Sequence, residues 1–295
     1  MNFGHILTAM VTPFDHEGNI DYQATKDVIN HLLSNGSDGI VIAGTTGESP
    51  TLSIREKAEL YKFAVETVSG KATVIAGTGT NSTRAAIELT QLAEEAGVDG
   101  VMLATPYYNK PNQEGMYLHF KAIAESTPLP VMLYNVPGRS VVNLLPDTVI
   151  RLAAVENIIS IKEASGDLDA MTEIIANTPE NFSLYSGDDS LTLPIMAIGG
   201  NGVVSVASHI VGNEMKTMIT AFKNGDLTYA QTLHRELVPI MNAMFSAPSP
   251  APVKAALEMS GVKVGSVRLP MVPLTPEESQ IVYKAIQHKI LSSAV

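Results

Sequence analysis

Eight short apolar runs, rich in β-branched residues, recur along this chain with starts mostly 20 to 35 residues apart. They are ILTAMV at 6–11, GIVIAG at 39–44, ATVIAG at 72–77, GVMLAT at 100–105, PVMLYNV at 130–136, NIISIK at 157–162, FSLYSG at 182–187 and GVVSVA at 202–207. Near-continuous apolar runs of this length read as strands buried on both faces. The segments between them read as helices. TLSIREKAELYKFAVETVSG places apolar residues at 54, 58, 60, 61, 64, 65 and 68, a helical stripe. TRAAIELTQLAEEAG ends on a helix-stop glycine, Gly97, and DLDAMTEIIANTPE is shorter, with Pro179 beyond its end. Strands alternating with helices predict a parallel sheet covered on both faces. Eight such units fit a (β/α)8 (TIM) barrel, for which ~250 residues is typical. A doubly wound open sheet would need fewer strands or a phosphate fingerprint after the first. GTGTNS at 77–82 lacks the third glycine and follows the third strand, so its glycines read as turn residues.

Beyond about residue 225 the strand signals stop. DLTYAQTLHRELVPIMNAMFS, PAPVKAALEMSGV and TPEESQIVYKAIQHKILSSA are helical patterns, and Pro248, Pro250 and Pro252 predict a stiff bend between the first two. The expected organisation is a catalytic barrel over 1–225 and a helical C-terminal domain over 226–295. An apolar content of 45% supports a large core. Thirty acidic against 19 basic side chains give a formal charge of −11, which argues against nucleic acid or an anionic membrane as partner. Small anionic substrates respond to local charge and remain open. The chain has no cysteine, so disulfides, thiolate nucleophiles and cysteine metal sites are excluded. Seven scattered histidines (5, 16, 31, 119, 209, 234, 288) lack HxH or HExxH spacing, and no metal site is expected. The first residues carry no basic region and too short an apolar run for a signal peptide or membrane span, so a cytoplasmic protein is expected.

In such a barrel the site lies at the C-terminal ends of the strands. Those ends supply Thr45-Thr46-Gly47-Glu48, Tyr107-Tyr108-Asn109, Tyr134-Asn135-Val136-Pro137-Gly138-Arg139, Lys162-Glu163, Gly187-Asp188-Asp189 and Val204-Ser205. Alternation puts Ser160 and Lys162 on one face of the sixth strand, with Ile159 and Ile161 on the other. The isoleucines suit the helix layer, which points Lys162 into the barrel mouth. The same parity groups Met132 with Tyr134, and Val41 with Ala43 and Thr45.

Lys162 has two readings. One is an ion-pair partner for a carboxylate such as Glu163 or Glu48. The other is a Schiff-base nucleophile. A free lysine titrates near ~10.4, and desolvation in an apolar mouth lowers such a group by up to ~3–5 units. Imine chemistry also needs proton transfer, for which the hydroxyls of Tyr134, Thr45 and Tyr108 are candidates. Tyr107 and Tyr108 suit a subunit contact equally well. The Thr45 and Thr46 N–H groups, in a glycine-flanked turn entering a helix, can bind a carboxylate. Arg139, after a rigid Pro-Gly turn, suits a bidentate grip on a second one, with a surface salt bridge as the alternative.

Taken together, GTTGE, TPYYN, YNVPGR, IKEASG and SGDD, in that order, resemble the dihydrodipicolinate synthase family. The likeness runs from TAMVTPF to VRLPMVPLT, essentially the whole chain. It implies a class I, pyruvate-dependent aldolase-type lyase of lysine biosynthesis, on a barrel with C-terminal helices and without a separate cofactor. It implies that Lys162 forms an imine with pyruvate, whose enamine attacks L-aspartate 4-semialdehyde. It further implies that Tyr134, Thr45 and Tyr108 relay protons, with Tyr108 reaching a neighbouring subunit's site. Thr45 and Thr46 would hold the pyruvate carboxylate and Arg139 that of the semialdehyde, with Gly187 and Val204 as backbone positions near the lysine. A homotetramer built from two dimers is the implied assembly.

Members inhibited by lysine use a serine, two histidines, an asparagine, a glutamate and a tyrosine at the subunit interface. This chain keeps Ser49, Asn81 and Tyr107, but has Ile54 and Lys57 at the histidine positions and Ala85 at the glutamate. Weak or absent inhibition by lysine is expected. Two competing functions share parts of the pattern: N-acetylneuraminate lyase or a sugar-acid aldolase, and a non-catalytic metabolite-binding barrel. The second threonine of GTTGE, the tyrosine pair and Arg139 favour the small amino-acid aldehyde.

Overall fold

The computed structural model describes residues 3–293, with side chains through residue 289. Residues 1–2 and 294–295 of the two expected segments lie outside the described residues. Eight parallel strands close a barrel in sequence order: β1 (Ile6–Ala9), β2 (Gly39–Ile42), β3 (Thr73–Gly77), β4 (Gly100–Ala104), β5 (Val131–Asn135), β6 (Ile158–Glu163), β7 (Ser183–Ser186) and β8 (Gly202–Ser205). Every run expected to be a strand contains one. Five of the helices between them start on side-chain caps the sequence carries at their N-termini: Asp21, Ser53, Ser82, Asn112 and Asp167 each accept a backbone N–H from the first turn.

Two apolar layers follow from strand alternation. Leu7, Val41, Ile75, Met102, Met132, Tyr134, Tyr185 and Val204 fill the barrel interior. Ile40, Ile42, Leu103, Leu133 and Ile161 pack outward against the helices. The parity expected for β6 holds for Ile161 but not for Ile159, which packs against the interior cluster. The cause is a register shift: Val131 pairs with Ile158 and Met132 with Ser160, leaving one extra residue in β6. The grouping of Val41, Ala43 and Thr45 on one face also fails. β2 ends at Ile42, and Ala43 takes a left-handed φ of 49°, so its methyl joins the outer layer.

The helix Ile54–Val68 buries Lys57, Leu60, Tyr61, Ala64 and Val68, while Ile54 is 53% exposed. The apolar stripe read from sequence starts at Ile54, but that residue is the first of the helix, at the barrel rim, with little behind it to pack on. Lys57 occupies the core-facing position instead.

Three helices follow the barrel, Leu227–Ala243, Ala251–Met259 and Pro276–Ser293. Leu237, Met241, Val253, Leu257, Val282 and Ile286 join the same apolar cluster that covers the barrel, so these helices share its core. Among the described residues no helix is long and apolar enough to cross a membrane.

Candidate active site

Lys162 stands near the C-terminal end of β6, in register with Tyr134 on β5 and Tyr185 on β7. It is 5% exposed, and its amine lies 4.3 Å from the Tyr134 ring centroid. Both carboxylates offered by the sequence as ion-pair partners are engaged elsewhere. Glu163 accepts from Asn135 Nδ2 at 3.0 Å and from the Ser165 N–H at 2.7 Å, and burial pushes its carboxyl up. Glu48 accepts the Arg268 N–H at 2.8 Å and faces Lys254 Nζ at 2.7 Å. Among the described residues Lys162 makes no ion pair. Asp188 and Asp189 nevertheless feel its charge: burial raises both carboxyls and the Lys162 amine draws them back. Asp189 is held off by the Ser205 hydroxyl and by the N–H groups of Val206 and Ala207, at 3.1 and 2.9 Å.

The loop after β2 turns inward through two left-handed residues, Ala43 and Glu48. Non-glycine residues adopt that conformation only where the surroundings impose it. Here Thr12 Oγ1 donates to the Gly47 carbonyl at 2.7 Å, and a Cβ on Gly47 would meet Met10 O and Thr12 Oγ1 at 3.1 Å. Thr46 is buried and Thr45 half-buried. Among the described residues, neither threonine's N–H meets a protein acceptor. The turn does not lead straight into an α-helix, as expected from sequence. A single 3-10 turn, Ser49–Thr51, intervenes before Ile54.

These elements enclose a cavity of about 280 Å³ at the barrel mouth. Thr45, Tyr134, Arg139, Tyr107, Ser49 and Lys57 all contribute to its wall. Lys162, Thr46, Gly187 and Val204 are not among the lining residues; the Lys162 amine stands over the ring of Tyr134, which is. Arg139 is exposed at the rim on a short helical turn, Pro137–Ser140. Thr105 Oγ1 donates to Ser140 Oγ at 2.9 Å, which anchors that turn to the end of β4. The Gly187 N–H donates to the Glu163 carbonyl at 2.7 Å, and a Cβ there would lie 2.4 Å from Ala164 Cβ. Val204 is fully buried in the interior layer.

Tyr108 does not join this cluster within one chain. It is 89% exposed, with a left-handed φ of 75°, while Tyr107 is 40% exposed. Of the six positions compared with a lysine effector site, Ser49, Lys57 and Tyr107 line the cavity; Asn81, Ile54 and Ala85 do not.

The model for the Dihydrodipicolinate synthetase family matches residues 2–289. The chain belongs to this family. At 63% identity over 278 residues, 94% of this chain and 96% of the other, it is similar to 4-hydroxy-tetrahydrodipicolinate synthase of Bacillus velezensis. The crystal structure of dihydrodipicolinate synthase from Bacillus anthracis superposes with a TM-score of 0.96 at 59% identity, covering 97% of this chain and 98% of that one. The synthase from Cyanidioschyzon merolae, solved with lysine bound, gives 0.95 at 46% identity, with 97% of each chain covered. The activity that goes with this membership is 4-hydroxy-tetrahydrodipicolinate synthase, a lyase of the class I aldolase type.

Sequence reading missed a second buried cluster in this family member. Lys254, from the helix Ala251–Met259, is 2% exposed, and its amine and the Arg268 guanidinium each stand 4.3 Å from the Phe14 ring. The one available signal was a lysine set in the apolar stripe PVKAALEM.

Proposed function

We propose that Lys162 is the Schiff-base nucleophile of this enzyme. The observation that carries the reading is a buried lysine amine at a strand end, free of any carboxylate partner and set against a tyrosine ring. Its lone pair attacks the keto carbon of pyruvate. Loss of water gives the imine, and loss of a methyl proton gives the enamine. The enamine carbon attacks the aldehyde of L-aspartate 4-semialdehyde, forming the new carbon–carbon bond. The semialdehyde's own amine then displaces Lys162 by transimination, which closes the ring and restores the free lysine. No cofactor beyond this covalent intermediate enters the scheme.

Tyr134 and Thr45, both on the cavity wall, carry protons to and from the carbinolamine. The N–H groups of Thr45 and Thr46 receive the pyruvate carboxylate, and Arg139 at the rim receives that of the semialdehyde. Gly187 and Val204 shape the backbone around the lysine. Tyr108, exposed on a strained backbone, completes the relay in a neighbouring copy, so the working form is a homo-oligomer, taken as a dimer of dimers in the cytoplasm. Ser49, Asn81 and Tyr107 are the remnant of an effector site. Residues 1–225 act as the catalytic barrel and 226–295 as a helical domain packed on it.

Borohydride reduction in the presence of pyruvate, followed by peptide mass spectrometry, tests the central step. The expected adduct maps to Lys162 and disappears in Lys162→Ala, with activity falling at least ~10³-fold. An adduct elsewhere, or none, refutes the nucleophile assignment.

A further inference from the structure

Asn135, the last residue of β5, is 1% exposed and follows directly on Tyr134. Across the strand pair it stands in register with Glu163, as Tyr134 does with Lys162. Leu133 and Ile161 pack outward, so alternation puts Tyr134 and Lys162 on the inner side of the barrel wall and Asn135 and Glu163 on the outer side. Asn135 Nδ2 lies 3.0 and 3.2 Å from the two Glu163 carboxylate oxygens and 2.7 Å from Asn143 Oδ1. Its Oδ1 accepts the Leu144 N–H at 3.0 Å. An amide has two N–H donors, so one serves β6 and the other serves the loop that follows Arg139.

Both targets depend on this amide. Glu163 is 1% exposed, and among the described residues it pairs with no cation. Apart from Asn135 its carboxylate relies on Ser165, whose N–H stands at 2.7 Å. Stripping a donor from a buried carboxylate is costly. The loop, in turn, carries Val141 in a left-handed conformation, φ 68°, which a β-branched residue holds only where its surroundings impose it. On the Arg139 side the Ser140 hydroxyl closes the turn, within reach of the Val136 and Val142 carbonyls at 3.0 and 2.9 Å. On the far side Asn135 closes it, at Asn143 and Leu144.

We infer that Asn135 is a positioning residue of the reaction, whose single amide fixes the strand end that carries Lys162 relative to the turn that carries Arg139. This rests on the roles proposed for those two residues. The reacting amine and the grip on the second substrate are thereby held in one frame from outside the barrel wall.

Two quantities are read on the full chain. Borohydride trapping of pyruvate at Lys162 reports the nucleophile, and the Michaelis constant for the semialdehyde reports Arg139. Asn135→Ala is expected to slow trapping and raise that constant together, each by ~10-fold or more. Gln113→Ala is the control. Its amide holds the same loop, through the Asn143 carbonyl at 2.8 Å and the Leu145 N–H at 3.2 Å, and among the described residues it makes no hydrogen bond to β6. It should raise the constant and leave trapping at the parental rate.

Asn135→Asp separates positioning from packing. The new carboxylate meets Glu163 as a like charge, which keeps one of the two carboxyls protonated to higher pH, and that proton returns a donor between them. Glu163 is the only charged side chain to which Asn135 is hydrogen-bonded among the described residues. Lys162, on the inner side, titrates in variant and parent alike. Trapping by Asn135→Asp relative to the parent should therefore recover as pH falls, while the same ratio for Asn135→Ala stays flat. Either quantity unchanged in Asn135→Ala, equally slowed trapping in Gln113→Ala, or a flat ratio for Asn135→Asp overturns the inference. If Asn135→Ala does not fold, the Asn135→Asp profile decides alone. No adduct at Lys162 in the parent refutes the Schiff-base reading and this inference with it. An adduct in the parent with undiminished trapping in the Asn135 variants refutes the inference only.

Discussion

Glu48 and Lys254 face each other across 2.7 Å with side chains only 2% and 3% exposed. The contact is a charge pair outside hydrogen-bond alignment, and the directed bond from the same amine goes to the Ser266 carbonyl at 2.7 Å. It joins the loop that carries Thr45 and Thr46 to the C-terminal helices. Burial pulls the Lys254 amine down and the Glu48 charge raises it again. Removing one member of such a pair strands the other, at a cost of about 3–5 kcal/mol. Lys254→Met is expected to lose that much in urea unfolding and to raise the Michaelis constant for pyruvate. Adding Glu48→Gln should recover most of the stability. If Lys254→Met unfolds like the parent, the pair contributes nothing.

Tyr108 is exposed and Lys162 buried in the same chain, which predicts complementation between copies. On the roles proposed above, Lys162→Ala removes the nucleophile and Tyr108→Ala a proton donor, so each alone should be nearly inactive. Mixed under conditions that let subunits exchange, they form hybrids in which one site has both groups. Random pairing across a two-fold interface returns roughly a quarter of the parental rate. Rates that simply add after mixing would show that Tyr108 serves its own chain or no site at all.

His209 is fully buried, with Nδ1 at 2.8 Å from the Val206 carbonyl and Nε2 accepting the Val11 N–H at 3.2 Å. Burial pushes its imidazolium down to about 4. The unfolded chain protonates this ring near ~6.5, so between those values it binds a proton that the fold does not. The ring's contribution is complete above that higher value and drains away as pH falls toward the lower. It amounts to about 3 kcal/mol. His209→Gln should flatten the decline of melting temperature with acidification over this window, which differential scanning calorimetry at stepped pH would reveal. An unchanged slope would assign the acid sensitivity to other groups.

Lysine should be a poor inhibitor. A free lysine ligand brings an ammonium to a region where Lys57 already holds a positive charge and Ala85 provides no carboxylate. Steady-state rates at saturating pyruvate are expected to be unchanged by millimolar lysine. Inhibition at sub-millimolar lysine would refute this.

The barrel was legible because each strand is buried on both faces and so spells itself as an unbroken apolar run. Lys162 and Tyr134 were legible because the pairing of β5 and β6 is regular from Met132 and Ser160 onward, so parity carries them inward together. Thr45 was placed in the right cavity by the wrong route, since a left-handed Ala43 breaks the alternation that was extended through it. Ile159 was misplaced because a bulge leaves no mark in composition. Lys57 and Ile54 exchanged roles, because an apolar residue at a helix's first turn can find nothing to cover it. The Glu48–Lys254 contact links segments far apart in the chain, and no local pattern announces it. Tyr108 is exposed within one chain, and the role proposed for it in a neighbouring copy has no local pattern to announce it.

The helices beyond the barrel also set an order of events. A nascent chain that has reached residue 225 already contains all eight strands and every side chain assigned to the chemistry. It still lacks Lys254 and Arg268, the two residues that meet the Glu48 carboxylate. The loop that carries Thr45 and Thr46 therefore settles late, after most of the polypeptide has been made, although its own residues are among the first to emerge.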